Sequence, residues 1–524
     1  MLQPIFGVRP APIEVNAADA TTARSLESRF GEVKNVQDLG AVGDGVADDT
    51  AAIQAAIDAV PTNGGIVFFP PGTYKISVAL SIDVASVHVL GSGIGATIIT
   101  TNSTTADMFA FGAGTTTRQE LSIEKLSLNT SVTRTGGAAI HFNNTASVRV
   151  SNIHMSQQFI GISYENTNIG ILENLQIRDT VASTGVGIDI FGAAENNIDI
   201  QNVLMDAADA SDPLAGIRIR QGSSINIIAC DIIHHERGLF IIPDASQVVT
   251  SIYVRSSFFD LSALEGIHLL AGSGTTIHRI SISGGWASSN TQRGILLDGA
   301  GTIDGVAITD NRILLNDLDG IVVSTGENIF IGHNQISGNS AASSGTNHGI
   351  VFGANISEFQ IIGNQIGDNS GTGTEKQGRG IVLTAGTGDN YIIANNDMRG
   401  NVTSGLLDSA AGTTVQIYGN LPFEDVDNFV LGNGAALSRH LSATATLDFG
   451  STATNTSTDL TITVTGAALN DTVVLGVPHG SVLANSSYNA WVSAANTVTV
   501  RFNNYSAGTL DPDSNTFRVD VWKH

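Results

Sequence analysis

The stretch NVQDLGAVGDGVADDTAAIQAAID, Asn35 to Asp58, opens the reading of the whole chain. Two glycines flank Asp44, the pair Asp48 and Asp49 follows, and an alanine-rich amphipathic segment closes it. Three ligand-binding chemistries fit it poorly. An EF-hand-type calcium loop needs acidic residues at alternate positions and a terminal glutamate, which Asp44, Asp48 and Asp49 do not supply. A dinucleotide loop needs GxGxxG after an apolar strand, and only Gly43-Asp44-Gly45 is present. A phosphate loop would need Gly-Lys followed by Ser or Thr, which is missing. The structural reading fits better. Asp48 or Asp49 caps a helix whose apolar face is Ile53, Ala56, Ile57 and Val60, stopped by Pro61 and the Asn63-Gly64-Gly65 turn. The strand IVFFPPGTYKIS follows. One amphipathic helix ahead of a stack of strands is suited to cover the open end of that stack, where bare edges would aggregate.

A stack is what the middle of the chain predicts. A glycine followed by Ile or Leu recurs at Gly161, Gly187, Gly216, Gly238, Gly266, Gly294, Gly320, Gly349, Gly380 and Gly405, 22 to 31 residues apart. A second pattern, apolar-x-apolar-x-x-Asn-x-apolar, places Asn152, Asn174, Asn202, Asn311, Asn334, Asn364, Asn396 and Asn420. Apolar and polar residues alternate over four or five positions, and helical spacing is absent. Three short strands per repeat with an Asn at one turn predict a right-handed parallel β-helix, whose coils must stack to bury their inner faces. Asn suits the turn because it tolerates left-handed geometry, bonds backbone and stacks amide on amide.

The flanks differ. Residues 1–33 are polar, with a short helix predicted in DATTARSLESRF, and read as an N-terminal attachment or linker segment. The β-helix is expected over 34–425. Residues 426–524 read as a linker and a C-terminal antiparallel β-sandwich, because TATLDFG, DLTITVTG, YNAWVSA, NTVTVRFNN and TFRVDVW alternate and are separated by turn residues. The fold class is therefore all-β.

Composition narrows the function. The formal net charge is −24, so no nucleic-acid partner is expected. No apolar run reaches the ~20 residues of a membrane helix, so no membrane insertion is expected. Cys230 is the single cysteine, which excludes an intrachain disulfide, and its IIACDII setting reads as a small buried hydrophobe. The start MLQPIFGVRP lacks the pattern of a secretory signal.

The segment from VKNVQDLG through GGIVFFPPGTYKI resembles the N-terminal signature of the pectate-lyase-like β-helix superfamily, which includes polygalacturonases, polysaccharide lyases and bacteriophage tailspikes. RSLESRFGEVKNV is similar to the lead-in of phage tailspikes, and VSAANTVTVRFNNYSAGTLDPDSNTFRVDVW looks like a tail module. The resemblance implies a homotrimer in the virion, attached through its N-terminus to a phage tail or baseplate protein, which binds and usually cleaves a bacterial surface polysaccharide. A secreted or cell-surface bacterial protein of the same fold is the alternative location. The resemblance does not fix the reaction.

Coils about 4.8 Å apart turn equivalent positions into columns. The residue before each repeat glycine is Ile160, Val186, Ala215, Arg237, Glu265, Arg293, Asp319, His348, Arg379 and Ser404, so six consecutive coils carry an ionisable group. The position two after each glycine adds Asp189, Arg218 and His268. One reading is a salt ladder of alternating sign. The other is a saccharide groove, in which Glu265 and Asp319, two coils and about 9–10 Å apart, are the catalytic carboxylates of an inverting glycosidase, whose separation is ~6.5–9.5 Å. Arg237, Arg293, His348, Arg379, His268 and Arg218 would bind substrate, with Trp286 stacking on a sugar. NDLDGI (316–321), NHGI (347–350) and GRGI (378–381) are similar to short polygalacturonase motifs, although the Asp-Asp coil and the lysine of those enzymes are absent. CDIIHHERG (230–238) suggests a metal less than a groove-lining turn, because adjacent histidines on a strand point to opposite sides; no metal or other cofactor is expected. His268 or His235 could instead serve as the base of a lyase. Trp491 and Trp522 are expected in the sandwich core. Acid/base hydrolysis is favoured, with a polysaccharide lyase and a non-catalytic glycan-binding tail fibre as alternatives.

Overall fold

The computed structural model describes residues 14–15, 22–25, 31–112, 116–178, 180–181, 183–192, 197–208, 212–354, 356–367, 376–410, 412, 414–421 and 439–523. From Val33 to Tyr418 the chain winds as a right-handed parallel β-helix. Each later coil carries one strand on each of three sheets. Ile295–Gly299 lies on sheet 1, Thr302–Thr309 on sheet 2 and Arg312–Leu314 on sheet 3, after which Ile321–Val323 returns to sheet 1. Sheet 1 has 13 strands among the described residues, from Leu80–Ile82 to Ser404–Asp408. Ile and Val dominate the inward positions. Ile267, Leu269, Ile295, Leu297, Ile321 and Val323 are all buried in one continuous core, as expected for strands that bury one face.

The asparagines divide into two kinds. In the early coils sheets 2 and 3 run together as long strands such as Thr145–Ser156, and the corner is one residue in the left-handed region: Lys125, Asn152, Asn174 or Asn202. In the later coils the left-handed residue comes one position earlier, at Asp310, His333, Gly363, Asn395 and Gly419. There Asn311, Asn334, Asn364, Asn396 and Asn420 turn inward as a buried amide ladder. Each side-chain nitrogen donates to the next carboxamide oxygen at 2.9–3.2 Å. Cys230 occupies the equivalent corner of an earlier coil, where its backbone N–H meets Ser257 Oγ at 3.2 Å. Burial pushes its thiol up to about 11.

At the N-terminal end a helix spans Thr50–Asp58 and packs Ile53, Ala56 and Ile57 into the core. Its aspartates act as turn residues. Asp44 Oδ1 accepts from Val46 and Ala47 N–H, Asp48 Oδ1 from Thr50 N–H at 3.0 Å, and Asp49 reaches back to Val42 and Gly43 N–H. Asp49 is the residue at the helix cap position but makes no side-chain capping bond. The helix expected in DATTARSLESRF is not seen where that stretch is described, since Arg24–Ser25 pairs antiparallel with Glu14–Val15. The rest of that stretch, most of residues 1–33 and the expected linker at 426–438 lie outside the described residues.

Residues 439–523 form two antiparallel sheets of three strands each, Arg439–Leu447, Asn515–Lys523 and Thr472–Gly476 in one, Ser457–Thr463, Thr497–Asn504 and Ser486–Ala494 in the other. Phe449, Phe502, Phe517 and Val500 fill the core between them. The two tryptophans do not join it. Trp491 is 37% exposed beneath the Arg501 guanidinium, and Trp522 stacks on His440 with centroids 4.3 Å apart. Both sit on outward positions of their strands, where strand alternation outweighs their apolar size. Among the described residues no helix is long and apolar enough to cross a membrane.

Candidate functional site: a charged column on sheet 1

The column expected from the repeat is present. Backbone bonds from the repeat glycines link successive members: Gly238 N–H to Glu265 O, Gly266 to Arg293 O, Gly294 to Asp319 O, Gly320 to His348 O and Gly349 to Arg379 O, at 2.9–3.3 Å. Arg237, Glu265, Arg293, Asp319, His348 and Arg379 therefore stand one per coil on sheet 1. Glycine is required beside them. A Cβ on Gly294 would lie 2.8 Å from Gly320 O and 2.9 Å from Asn316 Nδ2.

That Asn316 belongs to a second buried amide ladder. Asn290, Asn316, Asn339, Gln377 and Asn401 bond in sequence at 2.8, 2.8, 2.7 and 3.0 Å. It pins the turns that lead into the column, since Asn290 is three residues before Arg293, Asn316 three before Asp319, and Gln377 two before Arg379. Buried amides with all partners satisfied hold a backbone rigidly, so the column is pre-positioned.

Within the column Glu265 is 3% exposed. Its Oε2 is 3.2 Å from Arg237 Nε and its Oε1 3.8 Å from Arg293 Nη1. Arg293 Nε is 3.9 Å from Asp319 Oδ2, so one guanidinium stands between two carboxylates without a hydrogen bond from Nε to either. Asp319 Oδ1 accepts from His348 N–H at 2.7 Å. Burial pushes the Asp319 carboxyl up, against the smaller opposing effects of that N–H, His348 and Arg293. Burial pulls the His348 imidazole down, partly countered by Asp319. His348 Nδ1 accepts from Arg379 N–H at 3.2 Å, and Arg379 Nε is buried with no hydrogen-bond partner.

Beside this wall runs a second outward column, Phe240, His268, Leu296, Val322, Val351 and Val382, in continuous register. It makes an apolar floor. At one end Arg237 Nε donates to His268 Nδ1 at 3.0 Å, while His268 Nε2 faces Asp298 Oδ1 at 2.8 Å. His268 stacks on Phe240, which also carries the Arg237 guanidinium. Asp298 was not picked out in the sequence. It lies four residues past a repeat glycine, and the pattern there was followed for only two.

Three other candidates fall elsewhere. Arg218 is on the floor column but is spent: Asp189 binds it at 2.8 and 2.7 Å and also binds Arg220. Trp286 is on sheet 3, a different face of the coil. His235 is 1% exposed with both ring nitrogens unpartnered, burial lowers its imidazole to about 4, and it lies in the turn between Asp231–Ile233 and Arg237–Ile241, outside the column. A further charged group precedes the expected column. Asp107, His141 and Glu165 bond in a row, His141 Nδ1 to Asp107 at 2.9 Å and Nε2 to Glu165 at 3.0 Å. Sequence reading missed it because Ala139 stands where later coils have glycine. The register Ala138↔Ile160 and His141↔Ser163 would have revealed it. Among the described residues no group of three or more His, Cys, Asp and Glu side chains is placed to hold a metal.

Comparisons with known proteins agree with this architecture. The model of periplasmic copper-binding protein NosD matches residues 262–435. Mannuronan C5-epimerase AlgE2 of Azotobacter vinelandii is 51% identical over 73 residues, 12% of this chain and only 7% of the epimerase. Alginate lyase 7 of the same organism is 48% identical over 73 residues, covering 12% of this chain and 8% of the lyase. Among solved structures, the tailspike of E. coli bacteriophage HK620 in complex with a pentasaccharide superposes over 98% of this chain and 97% of its own, with TM-score 0.55 and 12% identity. Tailspike protein 3 of bacteriophage CBA120 covers 78% of this chain and 65% of its own at the same TM-score and identity. These two share the fold. The family model described as rhamnogalacturonase A/epimerase, pectate lyase-like, matches residues 33–296, half of the chain, and the chain belongs to that pectate-lyase-like family.

Proposed function

We propose that the sheet 1 groove cleaves a bacterial surface polysaccharide by acid/base hydrolysis, with Asp319 as general acid and Glu265 as general base. The observation that carries this reading is the loose placement of Arg293. A salt ladder built for stability would close charge-assisted bonds to about 2.7–2.9 Å. Arg293 instead stands 3.8 and 3.9 Å from two largely buried carboxylates. A gap of this kind is suited to a ligand. Asp319, whose carboxyl burial pushes up, would give its proton to the glycosidic oxygen as the C–O bond breaks. Glu265 would take a proton from the water whose oxygen bonds to the anomeric carbon, with inversion. Two coils separate them by about 9–10 Å, at the upper edge of the range that leaves room for that water.

The histidines support hydrolysis over elimination. His268 Nδ1 and His348 Nδ1 each accept an N–H, so in the neutral ring Nε2 carries the proton and neither side chain offers a free basic nitrogen. The epimerase and lyase relatives keep elimination or epimerisation as the alternative, with binding alone as a third. In this reading the protein is a virion tailspike. Three copies lie side by side, residues 1–33 attach the β-helix of 34–425 to a phage tail or baseplate protein, and 426–524 supply a linker and C-terminal sandwich. The test is to incubate the purified protein with capsule or lipopolysaccharide and follow reducing ends together with the ultraviolet absorbance of an unsaturated uronate. Reducing ends alone are expected. Both signals together would mean elimination, and retained binding with neither would mean an adhesin.

A further inference from the structure

Sheet 3 carries an outward row that this chemistry does not use. In register from coil to coil it reads Asp231, Phe258, Trp286, Arg312, Gln335 and Gln365. Phe258 is 42% exposed. Its ring centroid lies 5.7 Å from that of Trp286, and the Arg312 guanidinium is 5.9 Å from the Trp286 ring on the far side. Two positions along the strands, half-buried Asp260 accepts hydrogen bonds at Oδ1 from Ser288 Oγ and from Leu261 N–H, both at 3.0 Å. An aromatic pair, Phe258 exposed and Trp286 half-buried, is thus bordered by carboxylates before and beside it and by a guanidinium and two carboxamides beyond it.

We infer that Phe258 and Trp286 form a non-catalytic platform for uncharged pyranose residues of the polysaccharide, on a face of the coil separate from the groove. The C–H face of a pyranose lies flat on an aromatic ring, and its equatorial hydroxyls donate to carboxylates at the rim. The rung spacing of about 4.8 Å is comparable with the advance of one residue along an extended glycan, so the row can follow a chain. A dry protein interface would instead have to desolvate Asp231, Asp260 and Arg312 at its centre. Uronates are disfavoured on the Phe258 side. Burial and the neighbouring carboxylates of Asp260 and Asp206 already push the Asp231 carboxyl up, and another anion would add to that repulsion. The identity of the polymer rests on the proposed function, but the platform itself does not depend on cleavage.

The experiment uses the full chain on immobilised bacterial capsular and O-antigen polysaccharides, some with neutral backbones and some rich in uronate. Parent, Phe258→Ala and Phe258→Tyr are compared, with cleavage of the same polymers followed in parallel. Phe258 is exposed, so the folded state is expected to survive both changes. The inference predicts at least a tenfold loss of affinity for neutral glycans in Phe258→Ala, near-parental affinity in Phe258→Tyr, and unchanged cleavage of oligosaccharides too short to reach sheet 3. Parental affinity of Phe258→Ala for every glycan bound would overturn it, as would binding confined to uronate polymers. Phe258-dependent binding without any cleavage would count against the groove chemistry and leave the platform standing.

Discussion

Replacing Asn316 by Ala should open the turn that carries Asp319 while leaving the rest of the stack closed. The Asn316 carboxamide oxygen accepts from Asn290 N–H at 3.1 Å and Asn290 Nδ2 at 2.8 Å. Its nitrogen donates to Asn339 Oδ1 at 2.8 Å and Ala287 O at 3.1 Å. After truncation Asn290 Nδ2 keeps a 3.4 Å contact with Phe259 O, and Asn339 Oδ1 keeps the backbone N–H of residue 316 at 3.2 Å. The Asn290 backbone N–H loses its acceptor outright. One buried donor left unsatisfied costs about 1–3 kcal/mol, and the weakened neighbours bring the local cost to about 2–4 kcal/mol. In amide exchange limited by local opening, that is a loss of protection of about 30- to 900-fold. Exchange followed by mass spectrometry on peptides spanning residues 286–296 and 312–322 measures it without assuming a two-state transition, which a long stack need not obey. Gln360→Ala, at an exposed position of the strand Ser357–Ile362, is the control and should change exchange very little. A change below about threefold at Asn316→Ala would refute the claim that the second ladder holds the column.

Two histidines should give pH dependences of opposite sign. His235 is held at about 4, against an ordinary 6.5, so the unfolded chain binds a proton that the folded chain refuses; stability is full above pH 6.5 and falls by about 3 kcal/mol toward pH 4, and His235→Leu should flatten that loss in urea midpoints across pH. His141 is raised by Asp107 and Glu165 despite burial, so its contribution is present below the ordinary imidazole value and lost as pH rises through the raised one; in His141→Gln that alkaline loss should vanish from the same midpoints. Cys230 is fully buried with its thiol at about 11, so a thiol reagent should label it only in denaturant, and rapid labelling of the native protein would contradict the described corner.

The parts of the fold that could be read in the sequence are those forced by close approach. The repeat glycines mark where sheet 1 strands pass the second ladder, and no larger residue fits at Gly294; hence the register and the column from Arg237 to Arg379 could be aligned. The first amide ladder was visible because Asn311, Asn334, Asn364 and Asn396 sit at a fixed offset from their strands. Yet Asn152, Asn174 and Asn202 share that pattern and serve as left-handed corners instead, which only the backbone reveals. The second ladder was hidden. Its members are 26, 23, 38 and 24 residues apart, set by loops of unequal length, and Gln377 replaces Asn in the fourth rung. Trp286 was placed with the groove because a linear reading does not say which of three faces a turn residue presents. Arg218 was counted as free because nothing in the sequence pairs it with Asp189 one coil away.

The most direct test of the groove is the cleavage rate of Glu265→Gln and Asp319→Asn on a polysaccharide that the parent degrades, with binding measured alongside. Each variant keeps side-chain volume and removes one proton-transfer group. The account predicts a fall of about 10²–10⁴ in rate for each, with polysaccharide still bound and the alkaline limb of the parent's pH profile displaced upward by the raised Asp319 carboxyl. Parental rates in both variants would contradict it and return the column from Arg237 to Arg379 to a salt ladder.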